Sequence, residues 1–221
     1  MNRQQEDVER LGIFGGSFDP PHQAHITLAS SALTQLNLDR LLVIPTGDAW
    51  HKTRHLTLAP HRLAMTRLAF AHMERVFVDS REIDRHGPTY TFDTLEEISR
   101  EFPKAKLFLC IGGDQAKAFT TWHRWKEILN RVTLVVAFRP EDKTAVHAVD
   151  HAQWHNGLPH GAIRLEMPSL DISATDIRSQ LAQSNANPIA IPSAFPSAFP
   201  SALPAGVCEY IQQHSLYKTD R

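Results

Sequence analysis

The stretch over residues 15–25, GGSFDPPHQAH, constrains the fold of this 221-residue chain more than any other part of it. A short apolar run at 11–14 precedes it and is typical of a buried strand. Apolar residues at helical spacing follow it, over 26–38. The sequence therefore predicts a strand, a turn rich in Gly and Pro, and then a helix.

The predicted turn has the features of an anion-binding site. Gly15 and Gly16 carry no side chain, so a ligand's phosphates could approach the backbone there. His22 and His25 are three residues apart, so both would project from one face of the first helical turn. Free backbone N–H groups and the positive end of the helix dipole lie at the same place. We expect the turn to bind a polyphosphate; the alternative is a histidine pair that only caps the helix and contacts solvent.

Charge and cysteine content exclude some classes of protein. The chain carries 23 basic and 24 acidic residues, so no overall field favours nucleic acid or an anionic membrane, and phosphate binding must be local. Cys110 and Cys208 lie in contexts typical of buried thiols in a reducing compartment. Residues 1–10 lack the apolar core of a signal peptide, and no window reaches the roughly 18 apolar residues of a membrane-spanning helix. We expect a cytoplasmic protein.

Strands and helices alternate along the rest of the chain. Apolar runs typical of strands buried on both faces are separated by helical patterns. These runs are 40–45, 106–111 and 132–138. The alternation predicts an α/β fold, a Rossmann-like doubly wound parallel sheet in a single domain over 1–221. Ligands of such sheets bind at the carboxyl ends of the strands, where Gly15 and Gly112 would both lie.

Residues 185–204 are predicted to form a Pro-rich loop or insertion before a short C-terminal helix. Within it, 193–204 holds three near-copies of Ser-Ala-Phe/Leu-Pro, and a Pro at every fourth position excludes a regular helix. We expect this repeat to be dispensable for activity. The alternative is a binding role, and a homo-oligomer could form through the repeat or through a free sheet edge.

His147, His151 and His155 are spaced by four, which would align them on one helical face. Such a stripe could bind a metal, but the polar residues between the histidines favour a solvated helix or loop. We therefore assign no side chain as a metal ligand, and metal binding by these three histidines stays the alternative.

A second informative stretch spans residues 171–178, DISATDIR. Ser173 with Asp176 three residues later is a capping-box pattern, so Ser173 is predicted to start a helix. The hydroxyls, the free amides of that helix start and Arg178 could together chelate phosphate oxygens.

The two stretches together resemble the signatures of the nucleotidylyltransferase superfamily. The first resembles a Gly-x-Phe-Asp-Pro turn followed by His-x-Gly-His, except that Ala24 stands where the signature has Gly. The match over the whole stretch disfavours a histidine pair with only a capping role. The second resembles Ile-Ser-x-Thr-x-Ile-Arg, with matches at Ile172, Ser173, Thr175, Ile177 and Arg178.

The segments between the motifs are similar to bacterial nicotinate-nucleotide adenylyltransferases in particular. Three features carry this resemblance: Ile44-Pro45 with His51-Lys52, Gly87-Pro-Thr-Tyr-Thr91 with Asp93-Thr-Leu95, and Ile111-Gly-Gly-Asp114 with Thr121-Trp122. The resemblance implies adenylyl transfer from ATP to nicotinate mononucleotide, giving nicotinate adenine dinucleotide and pyrophosphate in NAD biosynthesis. It also implies Mg²⁺ bound through the substrate phosphates.

The resemblance further implies the site residues. Catalytic roles fall to His22, His25 and Arg178. Contacts to ATP are expected from both motifs and the loop after residue 45, at Gly15, Gly16, Ser17, Phe18, His22, His25, Lys52, Ile172, Ser173, Thr175 and Arg178. Contacts to the mononucleotide, including a Trp122 ring stacked on the pyridine instead of packed in the core, are expected from Thr89, Tyr90, Asp114, Trp122 and His123.

Three alternatives compete with this interpretation. A pantetheine-phosphate adenylyltransferase or an alcohol-phosphate cytidylyltransferase would share both motifs, but the Thr-Tyr-Thr and Gly-Asp…Thr-Trp elements disfavour them. A non-catalytic nucleotide sensor is favoured by Ala24 and disfavoured by the intact His22, His25 and Arg178. A nucleic-acid-binding module is disfavoured because there is no basic stripe with interleaved aromatic residues.

Overall fold

The computed structural model describes residues 8–47, 56–85, 87–138, 154–155, 158–159, 161–168, 170, 172–184 and 202–218. The strands in these residues are β1 (Arg10–Gly16), β2 (Arg40–Pro45), β3 (Val76–Val78), β4 (Lys106–Gly112), β5 (Val132–Phe138), β6 (Trp154–His155), β7 (Leu158–Pro159) and β8 (Ile163–Glu166). The helices are α1 (Gln23–Gln35), α2 (Ala59–Phe70), α3 (Arg81–Asp84), α4 (Thr91–Glu101), α5 (Gly113–Ala118), α6 (Trp125–Leu129), α7 (Ala174–Ser184) and α8 (Ala205–Gln213).

A six-stranded sheet forms the centre of the protein. All of its strand pairs are parallel, and the strand order is β3-β2-β1-β4-β5-β8. The chain builds outward from β1 to β3 and then returns to place β4 on the other side of β1, so the strand order reverses between β1 and β4. This is the predicted doubly wound parallel sheet, and the prediction is confirmed.

An apolar layer covers each face of the sheet, because successive side chains of a strand point to opposite faces. In β1, Phe14 belongs to one layer, while Leu11 and Ile13 belong to the other. Side chains of α1, α2, α7 and α8 complete the first layer, and side chains of α4 and α6 complete the second. Burial on both faces explains why β4 and β5 are unbroken apolar runs. Cys110 and Cys208 are free thiols, and burial raises the pKa of Cys110 to about 12.

Some local structure differs from the prediction or was not indicated by the sequence. Helix α1 begins at Gln23, three residues before the predicted start, so His22 is its N-cap. The four-residue edge strand β8 and the one-turn helix α3 were missed. Helix α3 is stabilised by Arg81, whose guanidinium pairs with Asp79 at 2.6 Å and Glu101 at 2.9 Å.

Several predicted features fall outside the described residues, namely Lys52, His147, His151 and most of the Pro-rich loop. Ala202 and Leu203, at the end of that loop, are buried. His155 lies in the two-residue strand β6, so the predicted helical alignment of the three histidines does not extend to it. Among the described residues, none of the helices combines the length and the apolar character that crossing a membrane requires.

Candidate active site

The candidate site lies at the carboxyl ends of β1 and β4, beside the reversal of strand order. A Cβ atom added to Gly15 or to Gly112 would meet no atom of the described residues within 4 Å, so open space faces both strand ends in this part of the chain. Gly16 differs, because an added Cβ would lie 3.0 Å from the Phe18 ring. The geometry leaves room for a ligand at Gly15, whereas the missing side chain of Gly16 makes room for Phe18.

Phe18 anchors the turn that follows β1. Its φ of 47° lies in the left-handed region that non-glycine residues seldom adopt, and the residue is only 1% exposed. Its ring packs against Phe14 and Phe70, at centroid distances of 5.4 and 6.3 Å, and against the His25 ring at 5.0 Å. Because the ring is in the core, the predicted contact of Phe18 with ATP would come from its backbone, and its ring orients His25.

A hydrogen bond orders the histidine pair. The backbone N–H of His22 donates to Nδ1 of His25 at 3.1 Å, and the two ring centroids lie 3.8 Å apart. Because Nδ1 is an acceptor, a neutral His25 carries its proton on Nε2. Burial, followed by the nearby His22, lowers the pKa of His25 well below its ordinary value of 6.5. His25 is therefore neutral at pH 7 and offers one N–H donor, on Nε2.

The backbone amides at the start of α1 are less available than predicted. The N–H of Gln23 donates to the Ala202 carbonyl at 2.7 Å, and the N–H of His25 donates to the His22 carbonyl at 2.9 Å. A helix start leaves about four N–H groups without helical partners, and here other groups of the protein take two of them. The prediction of free amides is wrong at these two positions, which leaves fewer backbone donors for an anion at the start of α1.

The second motif folds as its pattern predicts and contacts the first. Ser173 Oγ accepts the N–H of Asp176 at 3.1 Å, so Ser173 caps the start of α7 as predicted, and the Ser173 hydroxyl donates to the Asp176 carboxylate at 2.5 Å. Arg178 donates to the backbone carbonyl of Asp19 at 2.8 Å and to the Thr175 hydroxyl at 3.1 Å. One guanidinium therefore joins two motifs that are 159 residues apart in sequence. Ile172, also predicted to contact ATP, packs its side chain on the core.

Arg62, in α2, is a buried residue of the site that the sequence analysis missed. Its guanidinium donates to the carbonyls of Thr57, Ser17 and Gly47, at 2.8, 3.0 and 3.3 Å, and the residue is 2% exposed. Arg62 therefore joins Ser17, in the turn after β1, to Gly47 and Thr57, which lie on either side of the segment that contains Lys52. The available signal was its spacing, since Arg62 shares one helical face with the buried Met65 and Thr66.

The carboxylate of Asp19 is a second site group that the sequence did not assign. Asp19 is 1% exposed, and its Oδ1 accepts a hydrogen bond from the Tyr217 hydroxyl at 2.7 Å. Its Oδ2 accepts a longer bond, of 3.4 Å, from the N–H of Thr57. Tyr217 is 198 residues away in sequence, so no local pattern could indicate this contact.

The residues predicted to bind the mononucleotide come from two parts of the chain. Thr89 and Tyr90 follow β3 and α3, whereas Asp114, Trp122 and His123 follow β4. Thr89 adjoins Gly47, at the end of β2, and its hydroxyl oxygen is buried without a hydrogen-bond partner among the residues that the structure describes. The next residue, Tyr90, stacks on His123 with ring centroids 4.5 Å apart. Trp122 is partly buried and its ring lies 5.1 Å from that of Phe119.

Asp114 stands apart from these residues, in the first turn of α5 directly after β4. Its side chain is 91% exposed, and its nearest ionic partner among the described residues is Lys117 at 3.4 Å. The carboxylate is therefore accessible to a ligand that occupies the end of β4.

Comparison with known proteins shows the family to which the chain belongs. A family model described as cytidylyltransferase-like matches residues 13–180. A relative from Albidiferax ferrireducens is 46% identical over 212 residues, covering 96% of this chain and all of the relative. One from Methylibium petroleiphilum is 44% identical over 173 residues, covering 78% of this chain and 79% of the relative. Both are named "Probable nicotinate-nucleotide adenylyltransferase".

A solved structure shares the fold at lower identity. It is the Plasmodium falciparum nicotinic acid mononucleotide adenylyltransferase complexed with NaAD, with a TM-score of 0.68 and 19% identity over 95% of this chain and 97% of that one. The names of the two relatives, at 46% and 44% identity, define the class as nucleotidyltransferase enzymes. The chain belongs to the cytidylyltransferase-like family and, within it, to the nicotinate-nucleotide adenylyltransferases. The predicted family and enzyme class are confirmed.

Proposed function

We propose that this protein transfers the adenylyl group of ATP to nicotinate mononucleotide, producing nicotinate adenine dinucleotide and pyrophosphate. The names of its relatives carry the substrate assignment. The structural observation that most supports adenylyl transfer is the hydrogen bond from Arg178 to the Asp19 carbonyl, because this bond brings the two phosphate motifs to one place. That place adjoins the open space at Gly15.

The chemistry needs little from a general base. The attacking group is a phosphate with a second pKa of about 6, so it is largely dianionic at pH 7. Its oxygen attacks the α-phosphorus of ATP, the α–β phosphoanhydride bond breaks, and pyrophosphate leaves with the bonding electrons. The protein must hold the two nucleotides in line and offset the charge that develops on the leaving group.

The proposed catalytic groups supply those two needs. His25 donates from Nε2 to an oxygen of the triphosphate, with His22 beside it, and its hydrogen bond from the His22 backbone fixes which nitrogen donates. Arg178 and Ser173 hold phosphate oxygens at the start of α7, with Lys52 as a further cation.

Mg²⁺ fits this site as an ion carried by the nucleotide. Nδ1 of His25 has one lone pair, which already accepts a hydrogen bond from the protein, and the Asp19 carboxylate is 1% exposed and bonded to Tyr217. Mg²⁺ prefers oxygen ligands and keeps several waters, so triphosphate oxygens and water would hold it. Bound there, it would neutralise charge on the phosphates.

The mononucleotide would occupy the side of the site near the end of β2. The Thr89 hydroxyl and Tyr90 are proposed to contact it, together with the backbone and side chain of His123. Trp122 is proposed to stack on the pyridine ring, and Asp114 to accept hydrogen bonds from the nucleotide. The buried Thr89 oxygen supports this placement, because such an atom costs stability unless a ligand or water satisfies it.

We also propose that residues 1–221 form one domain. Supporting this, C-terminal Val207 and Ile211 pack in the same apolar layer as Phe14 of β1. The cytoplasmic location and a homo-oligomer stay predictions from the sequence.

The test is pyrophosphate release from ATP and Mg²⁺ with nicotinate mononucleotide, nicotinamide mononucleotide and phosphopantetheine supplied separately. Strong release with nicotinate mononucleotide and little with the others is the expected result. Release with phosphopantetheine alone would move the substrate to the related adenylyltransferase, and no release with any acceptor would contradict the enzyme assignment.

A further inference from the structure

The C-terminal segment, residues 202–218, touches the phosphate site at two points. At one end, the Ala202 carbonyl accepts the N–H of Gln23, the first residue of α1. At the other end, the Tyr217 hydroxyl donates to the Asp19 carboxylate at 2.7 Å. Between these points, Leu203, Val207 and Ile211 are buried in the apolar layer that also contains Phe18. The segment is therefore attached to both sides of the turn that carries the histidine pair.

Asp19 links four separate parts of the chain. Its side chain receives the Tyr217 hydroxyl and the Thr57 amide, and its carbonyl receives the Arg178 guanidinium. The carboxylate is buried, so hydrogen bonds to it are strong and the loss of one is costly. A shift of Asp19 would move the carbonyl that holds Arg178 and the turn that leads to His22.

The conformation of Tyr217 agrees with a constrained role. Its φ of 61° lies in the left-handed region that favours glycine, and Ser215 shares this feature with a φ of 51°. Such a backbone persists when the surrounding structure holds it. Burial, then the adjacent Asp19 carboxylate, raises the pKa of Tyr217, so the hydroxyl stays protonated and remains a donor.

We infer that Tyr217 is a positioning residue for nucleotidyl transfer, acting through Asp19 to hold Arg178 and the histidine pair in place. This inference rests on the proposed function, since the reaction is the one proposed above. None of the proposed substrate contacts comes from Tyr217. Its effect is on the geometry of groups that make those contacts, and small displacements of such groups are expensive in rate.

The first test compares Tyr217→Phe with a matched control, Tyr210→Phe. Both variants lose one phenolic hydroxyl from the same segment, and the hydrogen bond of the Tyr210 hydroxyl, at 3.0 Å, is to Nδ1 of His61, which belongs to neither phosphate motif. We expect Tyr217→Phe to lower kcat about ten-fold or more while the KM for the mononucleotide stays within about two-fold. The control should keep kcat within about two-fold. Equal kcat values for Tyr217→Phe and wild type, or equal losses in both variants, would overturn the inference.

A double-mutant cycle with Asp19→Asn tests the route of the effect. If Tyr217 acts through Asp19, the double variant should be no slower than Asp19→Asn alone; multiplicative losses would contradict that route. Titration of ATP binding by calorimetry needs no acceptor and should show weaker binding to both single variants. A wild-type enzyme inactive with nicotinate mononucleotide would refute the proposed function, whereas unchanged ATP binding together with an unchanged kcat would refute only the role of Tyr217.

Discussion

Gly15→Ala tests whether a ligand occupies the open space at the end of β1, because the fold itself does not fill that space. An added Cβ at Gly15 would meet no atom within 4 Å among the residues that the structure describes, and the φ of Gly15 lies outside the left-handed region. The free energy of unfolding should therefore stay unchanged or rise by about 0.5–1 kcal/mol, because alanine loses less chain entropy than glycine on folding. If ATP passes over Gly15, the same methyl group occupies its path. We expect kcat/KM for ATP to fall about ten-fold or more, equivalent to about 1.4 kcal/mol of transition-state stabilisation.

Gly16→Ala is the matched control, one residue away. Its Cβ would lie 3.0–3.3 Å from three atoms of the Phe18 ring, which is packed against Phe14 and Phe70 and cannot move freely. Overpacking of this kind costs about 1–3 kcal/mol, which lowers Tm by about 2–4 °C for each kcal/mol in a protein of this size.

Thermal unfolding and initial rates at varied ATP, measured on both variants, give the comparison. A Gly15→Ala enzyme with normal Tm and normal kcat/KM for ATP would refute the placement of the nucleotide at the end of β1. A Gly15→Ala protein with a Tm as low as that of Gly16→Ala would show that the structural account of the two glycines is wrong.

Three further predictions concern His25 and the Pro-rich loop. His25→Ala should lower kcat by orders of magnitude with little change in the circular dichroism spectrum, and near-normal turnover would contradict its role at the triphosphate. The pKa of His25 is lower in the folded protein than in the unfolded chain, so its contribution to stability is complete above about pH 6.5 and is lost as the pH falls. Between pH 7 and pH 5 the Tm of the wild type should therefore fall more than that of His25→Gln; parallel curves would argue against a neutral imidazole with a lowered pKa. Deletion of 193–200 should leave kcat within about two-fold and the fold intact, whereas a large loss of activity in a folded variant would assign the repeat a function.

The parallel sheet could be predicted because its cause is local in sequence. Strands covered on both faces need apolar side chains at nearly every position, so β2, β4 and β5 are visible as mostly apolar runs. The start of α7 was visible for a similar reason, since Ser173 and Asp176, which form its cap, lie within four residues.

The parts that could not be predicted depend on contacts between distant segments. Arg62 has the sequence context of a surface helix residue, and it is buried because three loops place their carbonyls around it. The N–H of Gln23 donates to the Ala202 carbonyl, and the Tyr217 hydroxyl donates to the Asp19 carboxylate. Each of these hydrogen bonds joins residues that are separated by most of the length of the chain. No local sequence pattern indicates these contacts, because their partners come together only in the folded chain.

The central claim is that the two phosphate motifs together carry adenylyl transfer to nicotinate mononucleotide. The most direct measurement is a ³¹P NMR time course of the protein with ATP, Mg²⁺ and nicotinate mononucleotide, with Arg178→Ala as the comparison. The account predicts that resonances of a dinucleotide diphosphate and of pyrophosphate grow together in equal amounts, and that the variant slows both alike. Inorganic phosphate and ADP as products, or pyrophosphate without a dinucleotide, would contradict it.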